Sequence, residues 1–295
     1  MHRWRGPASL WKRYELEGEL GRGASGTVYR ARDRATGRIV AIKVQGRAEE
    51  DRGAHRRSTR CVDLMPHPPH ENIVTTYELG TRREGAYVVM EWVRGGDLRQ
   101  HAERGKLLPL TVTLAVMARV ADALAHVHAH RVLHGDVKPA NILYDPASAA
   151  VKLTDFPYPE LCTPTRVPLA GTTAYMSPEH ICGMTAGPPS DQFSVGVTLY
   201  QLACGYLPFA TSSLPRLAFS MVNEKHRDIR TRDPALPSTL AAVLDRALEK
   251  RPEARYDNAR ELAAAIRAVV EPARAHDAPH RPTVDSSPFA VAAER

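Results

Sequence analysis

Cysteine is scarce in this chain: it occurs only at Cys61, Cys162, Cys182 and Cys204. No two of these form a C-x-x-C, so neither a metal site nor a disulfide framework is indicated, and the pattern fits a reducing cytoplasm. Long apolar runs are also missing. Without a stretch of about 18 apolar residues, no membrane span is expected. The basic start Met1-His2-Arg3-Trp4-Arg5 has no apolar stretch after it and does not read as a signal peptide. Zinc-finger spacing and an aromatic-rich basic stripe are both absent, so no nucleic-acid partner is expected. No internal repeat occurs.

What is present suits a globular chain. Hydrophobic residues make up 43% and charged residues 25%, enough for a sizeable core. A length of 295 residues allows one large domain or two lobes. The formal charge of +7 suits anionic ligands such as nucleotides, or acidic surfaces, and equally a plain basic solvated surface.

From Tyr14 the pattern reads strand, glycine turn, strand. Leu16 and Leu20 lead into Gly21-Arg22-Gly23-Ala24-Ser25-Gly26-Thr27-Val28-Tyr29. G-x-G-x-x-G also marks dinucleotide-binding folds, where a helix follows the glycines. Here Thr27-Val28-Tyr29 reads as a second strand, so the turn is a hairpin that can lie over phosphates. Another strand follows at Ile39-Val40-Ala41-Ile42-Lys43-Val44. A lysine on a buried strand is costly unless it meets an anion. Ile73-Val74 and Tyr87-Val88-Val89-Met90 read as two further strands, and Gly95-Gly96 then breaks the pattern.

Beyond this break the period becomes helical. Leu110, Leu114, Met117, Ala121, Leu124 and Val127 mark one apolar face. His126, His128 and His130 close that helix; at i, i+2 and i+4 they do not share a face, and cations at a helix C-terminus explain them without a metal. The loop His134-Gly135-Asp136-Val137-Lys138-Pro139-Ala140-Asn141 follows. It offers a proton acceptor, a positive charge and a metal ligand, the functions that phosphoryl transfer needs. Val151-Lys152-Leu153-Thr154 leads to Asp155-Phe156-Pro157, and Ser190 to Tyr200 reads as a buried helix. Two amphipathic helices are predicted around Leu240–Leu248 and Glu261–Val270. Residues 272–295, with four prolines and no sustained period, read as a disordered or linker-like tail.

Taken in order, these motifs resemble those of bacterial-type serine/threonine protein kinases over about residues 14–270. The resemblance implies an α+β, two-lobed fold: a small β-rich N-lobe over about 14–91 and a larger, mainly helical C-lobe over about 97–271, after a lead of residues 1–13. It implies ATP and Mg²⁺ as cofactors and protein Ser/Thr hydroxyls as substrates. Gly21, Gly23, Gly26, Val28, Ala41, Lys43, Glu91, Val93, Asp97 and Leu143 would surround ATP, with Glu91 and Val93 in the hinge between lobes and Asp97 near the ribose. Asp136, Lys138 and Lys43 would be catalytic, with Asp136 as the base, and Asn141 and Asp155 would hold the metal. Gly171-Thr172-Thr173-Ala174-Tyr175-Met176-Ser177-Pro178-Glu179 matches the family's substrate-facing loop. There Thr172 would reach toward Asp136 and Lys138, and Glu179 would pair with Arg255. Asp191 would brace the catalytic loop.

The chain also departs from the family pattern. Gly135 stands where most members have Arg, which removes the usual receiver for a phosphate on the activation segment, where Thr163 and Thr165 lie. Pro157 stands in place of Gly; it fixes φ, removes an N–H and should restrict the loop that carries Asp155. The acid that pairs with the strand Lys should fall near Val62 or Arg60. Neither is acidic, Asp63 is the nearest acid and Glu50 is too early, so the partner of Lys43 is expected to be displaced or absent. Two other readings stay open: a pseudokinase serving as a binding or scaffold module, and a small-molecule phosphotransferase of the aminoglycoside type, whose loop also reads His-Gly-Asp. Lys138 and the 171–179 segment speak against the second.

Overall fold

The strand Ile39–Gly46 (β3) sets the two faces of the N-terminal sheet. Side chains alternate across a strand, so Val40, Ile42 and Val44 pack on one side with Tyr14, Ala31, Tyr87 and Val89. Ala41 faces the other way, into a cluster with Val74, Leu79, Val88 and Met90. Lys43 shares the face of Ala41. The computed structural model describes residues 12–23, 26–46, 60–61, 68–82, 85–157, 173–211, 213–270 and 273–274.

β1 (Tyr14–Gly23), β2 (Gly26–Asp33), β3, β4 (Arg60–Cys61), β5 (Thr76–Arg82) and β6 (Gly85–Glu91) form one antiparallel sheet in the order β1-β2-β3-β6-β5-β4. The β1–β2 hairpin closes with Gly23 opposite Gly26. Gly26 adopts φ +128°, and a Cβ there would lie 2.2 Å from the Val44 carbonyl oxygen, so this turn accepts only glycine.

Two features of this sheet differ from the sequence expectation. Ile73 and Val74 are not a strand. Ile73 forms a single parallel bridge to Leu153, and the strand begins at Thr76. β5 lacks an apolar run because its buried Glu78 works as an acceptor, taking hydrogen bonds from Tyr14 Oη (3.1 Å) and Tyr87 Oη (2.8 Å). Arg13 adds ion pairs to Glu78 and Asp33, so the last residue of the predicted lead is anchored on the sheet. Residues 1–11 and 275–295, including most of the predicted lead and tail, lie outside the described residues.

The second lobe is built on α1 (Leu110–Ala129) and α3 (Pro188–Cys204), with α2 (Pro178–Ile181), α4 (Leu214–Asn223), α5 (Ser238–Ala247) and α6 (Ala259–Ala268) around them. α1 is long and apolar enough to cross a membrane by length and composition alone. Its apolar face instead lies in the main core: Leu114, Met117, Val120 and Leu124 are fully buried with Phe193, Leu199 and Tyr200 of α3. Each such large apolar side chain contributes about 1.5–3 kcal/mol by leaving water.

A three-stranded sheet, β7 (Gly96–Asp97), β8 (Ile142–Asp145) and β9 (Ala150–Leu153), caps this core. β9 is also where the lobes join. Val74 N donates to Leu153 O, Leu153 N to Asn72 O, and Asn72 Nδ2 to Val151 O. The cleft between the lobes is thus bounded by the Ala41 face of the sheet above and β8–β9 below.

Candidate active site

The chain leaves α1, turns at Arg131 and runs through the loop 132–138 to a 3₁₀ turn, Pro139–Asn141, that feeds β8. This loop is held from below by Asp191 near the start of α3, which is wholly buried. One carboxylate oxygen accepts from Gly135 N (2.7 Å) and the other from His134 N (3.0 Å). His128 Nε2 reaches the second oxygen at 2.8 Å. Burial pushes the Asp191 carboxyl up, but the His128 bond and the neighbouring imidazoles outweigh it, and the group is held below its ordinary range. Gly135 sits at φ +73°, a left-handed backbone that costs any other side chain about 1–2 kcal/mol.

Fixed in this way, the loop brings Asp136, Lys138 and Asn141 together. Asp136 Oδ2 accepts from Lys138 Nζ (2.7 Å) and Asn141 Nδ2 (3.0 Å), and Asn141 Nδ2 also donates to Asp136 O (2.7 Å). Asp136 Oδ1 is shielded from solvent and has no hydrogen-bond partner among the described residues. His134 is a packing residue. Its Nε2–H donates to Thr154 O, its Nδ1 accepts from Asp136 N, and its ring meets Phe156 edge-on at 4.7 Å.

Thr154 N donates to Asn141 O, which places Asp155 beside the same loop. Asp155 has φ +65°, and its Oδ2 lies 2.7 Å from Lys43 Nζ. Lys43 therefore reaches across the cleft from the sheet. The sequence pattern left its partner displaced or absent; among the described residues that partner is Asp155. Arg60, one of the positions counted for the missing acid, lies in β4. Glu49, Glu50, Asp51, Val62 and Asp63 fall outside the described residues, as do Thr163, Thr165, Gly171 and Thr172.

The positions that the sequence pattern assigns to a nucleotide also converge. Val28, Val93 and Leu143 pack on the cluster that holds Ala41, Val74, Leu79, Val88 and Met90. This makes an apolar slot roofed by β2–β3 and floored by β8, with the glycine hairpin of Gly21, Gly23 and Gly26 at its edge. Glu91 turns its carboxylate to Lys152 Nζ (2.9 Å) and Thr75 N (3.1 Å). Asp97 caps a short 3₁₀ turn, accepting from Arg99 N (2.9 Å), and forms a two-point ion pair with the Arg99 guanidinium.

On the far side, Glu179 of α2 meets Arg255 in a fork, with both N–O distances 2.8 Å and Arg255 fully buried. Burial raises the Glu179 carboxyl, yet the bonds from Arg255 and Ser190 prevail and bring it down to about 2.

Residues 14–265 match the family model described as the protein kinase domain. The chain belongs to the protein kinase family. Similar kinases include serine/threonine-protein kinase PrkC of Bacillus subtilis, 29% identical over 90% of this chain and 42% of its own length. The DNA damage-responsive serine/threonine-protein kinase RqkA of Deinococcus radiodurans is 35% identical over 85% of this chain and 38% of its own. Serine/threonine-protein kinase PkaA of Streptomyces coelicolor is 34% identical over 88% and 50%. This chain thus spans half or less of the length of these curated relatives. A solved structure of Rad53 1–466 in complex with AMP-PNP has the same two-lobed kinase fold, with a TM-score of 0.72 at 25% identity over 87% of this chain and 66% of that one.

Within the kinase framework the departures have local consequences. A Cβ at Gly135 would meet nothing within 4 Å, so the glycine serves the backbone conformation there and not a close approach. Pro157 follows a buried Phe156 and leaves Asp155 in contact with Lys43. Three contributors escaped the sequence pattern. His128 belongs to a histidine run with no distinguishing spacing. Met90 read only as one more apolar strand residue. Lys152 did carry a signal, a lysine between Val151 and Leu153 on a buried strand, which predicts a nearby acid for the reason given for Lys43.

Proposed function

We propose that this kinase domain binds ATP with Mg²⁺ and transfers the γ-phosphate to Ser or Thr hydroxyls of proteins. The observation that carries this reading is the convergence of Asp136, Lys138 and Asn141 on one loop, facing an Asp155–Lys43 pair across the cleft. The names of the similar bacterial kinases support Ser/Thr as the acceptor, and the AMP-PNP in the Rad53 complex supports a nucleotide in the apolar slot.

Val28, Ala41, Val93 and Leu143 would enclose the adenine, and the glycine hairpin would lie over the phosphates. Lys43 would neutralise phosphate charge with the positive charge that Asp155 balances in the free protein. Asn141 uses Nδ2 in both of its bonds to Asp136, which leaves Oδ1 for a metal, and Asp155 offers a carboxylate. Two hard oxygen donors suit Mg²⁺, so these two residues would hold the ion. When bound, the ion would supply charge neutralisation on the transferring phosphoryl group. The Asp136 carboxylate would accept the proton of the attacking hydroxyl as the new O–P bond forms and ADP leaves, while Lys138 would stabilise the charge on the phosphoryl oxygens.

Purified protein given Mg²⁺ and γ-labelled ATP should label itself or a generic basic protein, and Asp136→Ala should abolish the label. ATP binding without any transfer would identify a pseudokinase, and labelling of a hydroxylated small molecule but no protein would overturn the protein-kinase reading.

A further inference from the structure

A lysine on β9 has a task that the transfer chemistry does not use. Lys152 lies in an apolar strand, opposite Leu143 in the register, and its side chain is only 17% exposed. A cation so placed is costly unless an opposite charge meets it. The partner is Glu91, the residue at which β6 leaves the sheet for the hinge.

Glu91 is held at both ends. Its backbone N–H donates to Thr75 O (2.8 Å), and its Oε2 accepts from Thr75 N (3.1 Å), so one residue engages both backbone polar groups of Thr75. Thr75 directly follows Asn72–Val74, the segment bonded to β9. The same Oε2 takes Lys152 Nζ at 2.9 Å. The bonds therefore close a ring: β9 to the 72–75 segment, that segment to Glu91, and Glu91 back to β9 through Lys152. Next along the chain, Trp92 lies under the Arg30 guanidinium at 4.7 Å, and Val93 packs into the apolar slot. Arg30 and Thr75 hold the hinge from the N-lobe side. Lys152 is the hold that comes from the strand leading to Asp155.

We propose that Lys152 is a positioning residue for the nucleotide base: acting through Glu91, it fixes the hinge backbone against the slot and sets the preference for ATP over GTP. This rests on the reading of the slot as an ATP site. The physical reason is that base discrimination depends on backbone groups placed to within a few tenths of an ångström, whereas phosphate charge is tolerant of position. Without Lys152, Glu91 loses its direct bond to β9 and is tied to it only through Thr75 and the 72–74 segment, so the hinge backbone is held less closely against the slot. Phosphate binding through Lys43 is separate from this ring.

The test is calorimetric titration of the full chain with MgATP and with MgGTP. Lys152→Met should weaken ATP by about tenfold while GTP changes much less, so that the ATP/GTP ratio falls. Lys152→Arg should retain the ratio. Glu91→Gln keeps an acceptor for Thr75 N but removes the charge, and should lower the ratio as Lys152→Met does; it also serves if that variant does not fold. Lys43→Met should weaken both nucleotides alike. An unchanged ratio in Lys152→Met or Glu91→Gln, or an equal loss in Lys152→Met and Lys152→Arg, would overturn the proposal alone. If the unaltered protein binds neither nucleotide, the ATP-site reading fails and this proposal fails with it.

Discussion

Lys43 Nζ and Asp155 Oδ2 lie 2.7 Å apart, although 112 residues separate them in the chain. The pair links the sheet to the segment after β9 and spans the cleft between the lobes. Its two side chains are 16% and 26% exposed, so solvent screens it only in part. Both members are charges that a nucleotide–metal complex would engage, and each neutralises the other in its absence.

Replacing the lysine should separate these two uses. Lys43→Met removes the proposed phosphate contact and leaves Asp155 without the counter-charge it has in the structure. Phosphotransfer, measured as kcat/KM, should fall by at least about 10²-fold, the scale of losing one charge-stabilising donor. Chemical denaturation should show a stability loss of about 1 kcal/mol, between the values for exposed and buried pairs.

Asp136 should affect chemistry far more than binding. Asp136→Asn keeps an acceptor for Lys138 but cannot take a proton. Labelling rates should drop by about 10²–10⁴-fold, with ATP affinity changed little, when turnover and equilibrium binding are measured side by side. A parallel loss of affinity would show that Asp136 supports the nucleotide site.

Glu179 makes stability depend on acid. Its carboxyl moves from an ordinary 4.5 in the unfolded chain to about 2 in the fold. Because the folded value is the lower one, its contribution is complete above about pH 4.5 and is lost as the pH falls toward 2. A difference of this size is worth roughly 3 kcal/mol. Urea titrations across that window should show the decline, and Glu179→Gln should flatten it. Arg255→Met should cost about 3–5 kcal/mol at neutral pH, since it leaves a buried carboxylate unpaired.

Two left-handed positions should respond in opposite directions. Ala149 sits at φ +54° in the β8–β9 turn, so Ala149→Gly relieves strain, offset in part by the entropy of a more flexible unfolded chain. The net gain should be about 0.5 kcal/mol. Gly135→Ala should cost about 1–2 kcal/mol although no atom obstructs the added methyl, because the strain is in the backbone itself. Thermal melts of the two variants should shift in opposite directions.

Local signals carried much of this in the sequence. The glycine hairpin, the alternating β3 and the 134–141 loop are each contained in a short stretch whose chemistry is readable from neighbours in the chain. The α1 periodicity likewise located a helix that the structure bounds at Leu110–Ala129. β5 was not readable, because its buried Glu78 is paid for by Arg13, Tyr14 and Tyr87 from other parts of the chain. His128 was opaque for the same reason, since only Asp191 distinguishes it from His126 and His130.

The sequence by itself determined the family, the order of the motifs and the residue types available for phosphoryl transfer, since these depend on spacing along the chain. Only the tertiary structure decided which charges meet: Lys43 with Asp155, Lys152 with Glu91, His128 with Asp191, Arg255 with Glu179. A buried charge is settled by whatever packing brings within about 3 Å of it, and chain distance does not specify that.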